Sequence, residues 1–220
     1  MQRFSKRIDQ LPSPTHSSRR GLPVYATVVH FDRSPNDTAG RAWLVDSLAR
    51  ASAHFTIART GETKQLVDLT QAAWHAGVSE MTVDGRLLHG ANLFTIGIEL
   101  ANVGPVVRGE SGRFFWEDGR TVRRLPESFV AVRSALVFPN GFRFESFWEP
   151  YPEPQLRALE VLLDELAANG FERAAKNLVG HEEIATPIGR KTDPGGAFGW
   201  ERFARFRSTP PSTRIEALPA

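Results

Sequence analysis

Apolar and polar positions fall along this chain in patterns that sort it into strands and helices. From Val24 to His30 the run Val-Tyr-Ala-Thr-Val-Val-His is β-branched and apolar, which predicts a buried strand ending at His30. Arg41 to Ala51 carries Leu44, Leu48 and Ala51 at helical spacing. His54 to Arg59 and Lys64 to Leu69 read as two strands of a hairpin turning at Thr60-Gly61-Glu62. Leu93 to Leu100 reads as a buried strand holding Ile96, Ile98 and Leu100. Two more hairpins are predicted further on, one around Asp118-Gly119 and one turning at Pro139-Asn140-Gly141. Leu156, Leu159, Leu162, Leu163 and Leu166 form a single apolar stripe, the clearest helix of the chain, stopped at Asn169-Gly170. Asn177 to Gly180 predicts a strand, and Gly199 to Phe206 a short closing helix.

Strands mixed with helices and separate hairpins predict an α/β, mixed α+β class: a central mixed β-sheet flanked by helices. Residues 1–22, rich in Ser, Pro and Arg, read as an extended N-terminal arm, 23–207 as a single domain and 208–220 as a loose C-terminal tail. Within the domain, about 103–150 reads as an insertion holding much of the aromatic content, including Phe114, Phe115, Trp116, Phe147 and Trp148.

Composition narrows the options. At 220 residues, with 41% apolar and 24% charged residues, the chain is long enough for one domain with a full core. It has no run of about 18 apolar residues, so no membrane insertion is expected. Met1 to Arg20 is polar and basic with no apolar stretch of the secretory kind. That gives an expectation of cytoplasmic location, with lysis or a non-Sec route as the ways out. The absence of cysteine excludes disulfides, thiolate metal sites and thiol nucleophiles. The pI near 9.3 suggests a basic protein, yet the net charge is only +2 and the 27 basic residues are scattered. No nucleic-acid partner is therefore expected, since such proteins cluster their charge on one face.

The chemistry concentrates in one loop, Gly180-His181-Glu182-Glu183 through Lys191-Thr192-Asp193-Pro194-Gly195. His30 and His181 each end a predicted strand, and Asp193 lies in the loop after the second. Two imidazoles and a carboxylate leave one position of a tetrahedral Zn²⁺ open for water, the pattern of a catalytic site. Glu99 is a carboxylate set in an otherwise apolar strand, costly to bury unless satisfied or used, and is a candidate general base. Lys191, near Asp193, is a candidate cation for an oxyanion. Trp74 reads as partly core and partly cleft wall. His75 reads equally as a cleft residue or as a brace for its own loop, and His54 as structural.

Five short motifs then stand in order: Val28-Val29-His30, Ser52-Ala53-His54-Phe55, Ala73-Trp74-His75-Ala76-Gly77, Asn92 with Ile96-Gly97-Ile98-Glu99-Leu100, and Gly180-His181 with Lys191-Thr192-Asp193-Pro194-Gly195. Together they resemble the zinc-dependent N-acetylmuramoyl-L-alanine amidases, which share a fold with the peptidoglycan recognition proteins. The resemblance runs from about residue 24 to 200, interrupted by the 103–150 segment. It implies one Zn²⁺ per chain held by His30, His181 and Asp193, with Glu99 as base and Lys191 as oxyanion stabiliser. It implies peptidoglycan fragments or the sacculus as partner, for which Trp74 and His75 are the candidate substrate-binding residues read from the pattern. An Asp third ligand looks like the cytosolic muropeptide-recycling branch. Some relatives use a Tyr just before the second-strand histidine; here Ala53 stands there, which points back to Glu99. The alternative is a non-catalytic recognition module on the same fold, although recognition members often lack a zinc ligand.

Overall fold

The structure, a computed structural model, describes residues 8–117, 121–210 and 212–219. Its centre is a six-stranded mixed sheet in the spatial order Asp9–Gln10, Thr63–Gln65, Phe55–Ile57, Thr95–Leu100, Ala26–Phe31, Leu178–Gly180. All neighbours are parallel except the hairpin pair Phe55–Ile57 and Thr63–Gln65. The class expected from the pattern, a mixed sheet flanked by helices, is the one observed.

Period-two alternation divides the chemistry from the core. In the Thr95–Leu100 strand, Ile96, Ile98 and Leu100 face the helix Glu153–Leu166 and pack on its stripe Leu159, Leu162, Leu163 and Leu166. That leaves Thr95, Gly97 and Glu99 on the opposite face. The neighbouring strand does the same, with Val29 in the helix-side core and His30 beside Glu99 in register. The parallel pairing of Gly180 with Val29 then brings His181 alongside His30. Gly170, at φ 88°, lets the chain leave the long helix in the left-handed region, as the Asn-Gly stop predicts.

The segment 103–150 forms most of a second sheet, entirely antiparallel, in the order Val122–Arg124, Phe114–Glu117, Pro105–Arg108, Arg143–Trp148, Val132–Val137, Arg214–Ala217. Both hairpins expected there are present as strand pairs, although the Asp118-Gly119 turn lies outside the described residues. Its aromatics make two small cores, one around Trp116 and Val106, the other around Trp148, Phe138 and Phe31.

Several details differ from the sequence pattern. The helix expected over Arg41–Ala51 runs only over Ala39–Val45, and Leu48 is 85% exposed beyond it, so the spacing of Leu44 and Leu48 does not mark one face. The residues read as an arm are extended but not free: Leu11 and Ser13 donate to Gln65 and Leu66 carbonyls, and His16–Ser18 pairs with Gln71–Ala73. Arg19 is buried, donating to the carbonyls of Leu69, Leu93 and Thr95 at 2.8–3.2 Å. The residues read as a loose tail include Arg214–Ala217, an edge strand whose Ile215 packs against the Trp148 core. Its four residues are too short for alternation to stand out. The hairpin Glu80–Val83 and Arg86–His89 was not predicted, yet its turn carries the Asp-Gly signal, with Asp84 at φ 52° and Gly85 at φ 74°.

Candidate active site

On the face away from the long helix, three side chains converge. His30 Nδ1 lies 3.0 Å from His181 Nδ1 and 2.8 Å from Asp193 Oδ2, and His181 Nδ1 lies 2.9 Å from the same oxygen. All three residues are buried. His181 Nε2 donates to the Ala76 carbonyl at 3.0 Å, so in the neutral ring its Nδ1 lone pair faces inward. Burial, followed by the neighbouring His181, lowers His30 to about 4, which keeps it neutral. Against the upward push of burial, any proton on the facing Nδ1 atoms of His181 and His30 would hold the Asp193 carboxyl well below its usual range, and a bound cation would take the place of that proton. Two imidazoles and a carboxylate, closely packed and buried, form a donor set that fits a divalent cation of the Zn²⁺ type.

The cluster opens into a cleft of about 370 Å³. Glu99, Lys191, Trp74 and His75 line it, so the candidate ligands and the candidate catalytic and substrate-binding residues are gathered in one place. Glu99 Oε2 has no hydrogen-bond partner among the described residues. Burial, then the repulsion of Asp193 and Asp32, raises the Glu99 carboxyl well above its usual range, partly offset by Lys191. Trp43 and Trp74, 57% and 40% exposed, rim the opening. Trp74 is held from behind by its indole N–H on Ser17 Oγ at 3.2 Å, a contact supplied by the N-terminal segment.

The loop bearing Lys191 and Asp193 is fixed from two sides. Arg190 donates to the carbonyls of Thr186, Ala76 and Val78, tying the loop to the His75 segment. On the other side Tyr151 Oη donates to the Pro194 carbonyl and Ser134 Oγ to that of Gly196, both at 2.7 Å. The Trp148 ring lies so close that a Cβ on Gly195 would sit 2.6 Å from it, and Phe142 packs on Gly189. The inserted sheet is thus the backing of this loop.

The profile of the N-acetylmuramoyl-L-alanine amidase family, the type-2 group, matches residues 20–196. The chain belongs to this family. Among curated members of related sequence, the 1,6-anhydro-N-acetylmuramyl-L-alanine amidase AmpD of Escherichia coli (strain K12) is 33% identical over 154 residues, covering 70% of this chain and 57% of that protein. The chain thus spans little more than half the length of that amidase, and 56% of the one from Salmonella typhimurium (strain SL1344). The AmpD of Enterobacter cloacae is 29% identical over 217 residues, covering 90% of this chain and 89% of that one. A crystal structure of a selenomethionine AmpD derivative superposes with a TM-score of 0.58 at 26% identity, over 93% of this chain and 97% of the other. The Escherichia coli amidase AmiD, solved with an anhydro-N-acetylmuramic acid peptide, shares the fold at TM-score 0.57 and 22% identity, over 89% and 60% of the two chains.

Some residues of this amidase-family site carried weaker sequence signals. Asp32 lines the cleft two positions after His30, its carboxylate accepting from the backbone N–H of Ser34 and Asn102, with burial raising it to about 6. Trp43 was hidden in a helix read only for its leucine spacing. Asn92 accepts from the backbone N–H of both His75 and Ala76, at 3.0 and 2.7 Å, which gives that residue of the motif a concrete task. His54 is fully buried, accepting from Gly97 N–H at 2.9 Å and donating to the Gln71 carbonyl at 3.1 Å.

Proposed function

We propose that the chain is a zinc-dependent amidase that hydrolyses the amide between the lactyl group of N-acetylmuramic acid and the L-alanine of a muropeptide. The observation that carries this reading is the convergence of His30, His181 and Asp193 in the same cleft as Glu99 and Lys191. The donor set would hold Zn²⁺, which when bound supplies Lewis acidity and lowers the pKa of water toward ~7. The rest falls to the chain itself. Glu99 is the base: it takes a proton from the attacking water as the carbon–oxygen bond forms, then delivers it to the alanine nitrogen as the carbon–nitrogen bond breaks. A carboxyl pushed up by burial suits both halves of that transfer. Lys191 faces the carbonyl oxygen as charge develops on it. Trp43 and Trp74 flank the entrance as apolar walls for the sugar or stem peptide. The AmpD relatives, named for 1,6-anhydro-N-acetylmuramyl-L-alanine, support soluble anhydro-muropeptides as the substrate class.

The test is to incubate the purified protein, with and without a chelator, with anhydromuramyl peptides and with intact sacculi, and to measure its zinc by elemental analysis. Chelator-sensitive release of L-alanine-headed stem peptide from the soluble substrate is the expected result. A metal-free protein that binds muropeptides without cleaving them would replace the reading with a recognition module.

A further inference from the structure

We propose that His75 is a positioning residue that, with Thr95, fixes which nitrogen of His30 carries the proton and so presents a bare Nδ1 to the metal. This rests on the reading of His30 as a ligand. Three hydrogen bonds run in series from the Ala91 carbonyl through Thr95 to His30, their directions set from one end. Thr95 Oγ1 lies 2.6 Å from the Ala91 carbonyl, which can only accept, so the hydroxyl proton is committed there. The hydroxyl oxygen therefore accepts from His75 Nε2 at 3.1 Å. A neutral imidazole carries one ring proton, so His75 Nδ1 is a lone pair. It faces His30 Nε2 at 2.9 Å, and that nitrogen must donate. The His30 proton is then on Nε2, leaving Nδ1 bare toward His181 and Asp193. His181 reaches the same state by a shorter route, through its Nε2 donation to the Ala76 carbonyl.

The surroundings are shaped to hold this chain of bonds. Asn92 pins the backbone on both sides of the His75 peptide link, and Gly97 leaves room for the ring: a Cβ there would sit 2.4 Å from His75 Cγ. Thr95, Gly97 and Glu99, on one face of a single strand, thus serve the relay, its clearance and the cleft in turn. With both ring nitrogens engaged, His75 has no free donor or acceptor for substrate. Its place in the cleft wall comes from its ring edge. Partners of ligating histidines that fix tautomer and orientation typically govern 10–100-fold in metal affinity.

The experiment uses the full chain, stripped of metal, with zinc affinity read by competition against a chromophoric chelator. In parallel, ¹⁵N-edited spectra of the imidazole side chains read the His30 tautomer. Thr95→Val, of equal size without the hydroxyl, should weaken zinc binding by about 10–100-fold and give a mixed His30 tautomer, whereas Thr95→Ser should match the wild type. His75→Ala should weaken binding similarly. His75→Asn, whose amide oxygen replaces Nδ1 as the acceptor, should restore most of it. Zinc affinity and a His30 tautomer unchanged in Thr95→Val would overturn the proposal. Wild-type protein that takes up no zinc would instead defeat the metal reading, and the metal-free spectra of wild type and Thr95→Val would still decide the relay.

Discussion

Gly97 is the most economical place to test how the site is built. A Cβ added there would lie 2.4, 2.6 and 2.7 Å from Cγ, Cδ2 and Nδ1 of His75, against an ordinary contact beginning at 3.4 Å, so the ring must retreat by 3.4 − 2.4 = 1.0 Å at its closest point. It has no slack, because the 2.9 Å bond to His30 and the 3.1 Å bond to Thr95 pull on it from two sides. Gly97→Ala therefore combines overpacking with the loss of a buried hydrogen bond, a destabilisation of about 2–4 kcal/mol. Urea unfolding of the metal-free protein measures it, and zinc competition should show weaker binding in the same variant. The decisive measurement is a double-mutant cycle with His75→Ala. Once the ring is gone the added methyl has space, so Gly97→Ala should cost little there, leaving a coupling energy of about 2 kcal/mol or more. Additive costs in the cycle would refute the reasoning, since they would mean that Gly97 serves something other than clearance for His75.

Other expectations concern separate parts of the molecule. Tyr151→Phe keeps the ring on Phe198 but strips the Pro194 carbonyl of its donor; calorimetric unfolding should show a loss of about 1–3 kcal/mol, with zinc affinity falling as the Asp193 loop loosens. Glu99→Gln should keep its zinc, by elemental analysis, while turnover of anhydromuramyl peptide falls about 10²–10⁴-fold. Because the base must be ionised, wild-type rate should rise with pH along an acid limb displaced above the usual carboxylate range, and Glu99→Gln should lack that limb. His54, lowered by burial and then by Arg19 from 6.5 to about 3, binds its proton more weakly folded than unfolded. Its stabilising contribution is full above pH 6.5 and is lost at about 1.4 kcal/mol per pH unit as pH falls toward 3. Acid titration of stability in His54→Asn should be shallower by one proton's worth; an unchanged slope would count against this account.

The sequence made the main sheet legible because its central strands are buried on both faces and read as continuous apolar runs, and the long helix legible because its leucines keep one stripe. The site residues could be read because they interrupt those runs: a glutamate among isoleucines and a histidine closing a valine strand have few structural reasons to be there. What stayed hidden depends on three-dimensional closure. Arg19 looks like a surface arginine in a polar arm until three carbonyls are seen around it. Arg214–Ala217 is too short to show a period. Leu44 and Leu48 share a helical spacing that the chain abandons after Val45. The bond directions that tie Thr95 to His30 belong to side chains 65 positions apart, 95 against 30, and no periodicity records them.

The two histidines of the cluster stand 151 residues apart along the chain, and Asp193 follows only 12 residues after the second. A site assembled over such a separation can appear only after a long loop closure has been made, which is a slow and entropically costly part of ordering a chain. An ion held there would act as a clasp between the first central strand and the last, repaying some of that closure and adding to stability in proportion to its occupancy. Partly made chains hold one ligand of the three until residue 181 is in place. On the proposed reading, hydrolytic capacity would arrive only once Leu178–Gly180 has docked beside Ala26–Phe31 and the residues from His181 to Asp193 have closed over the cluster.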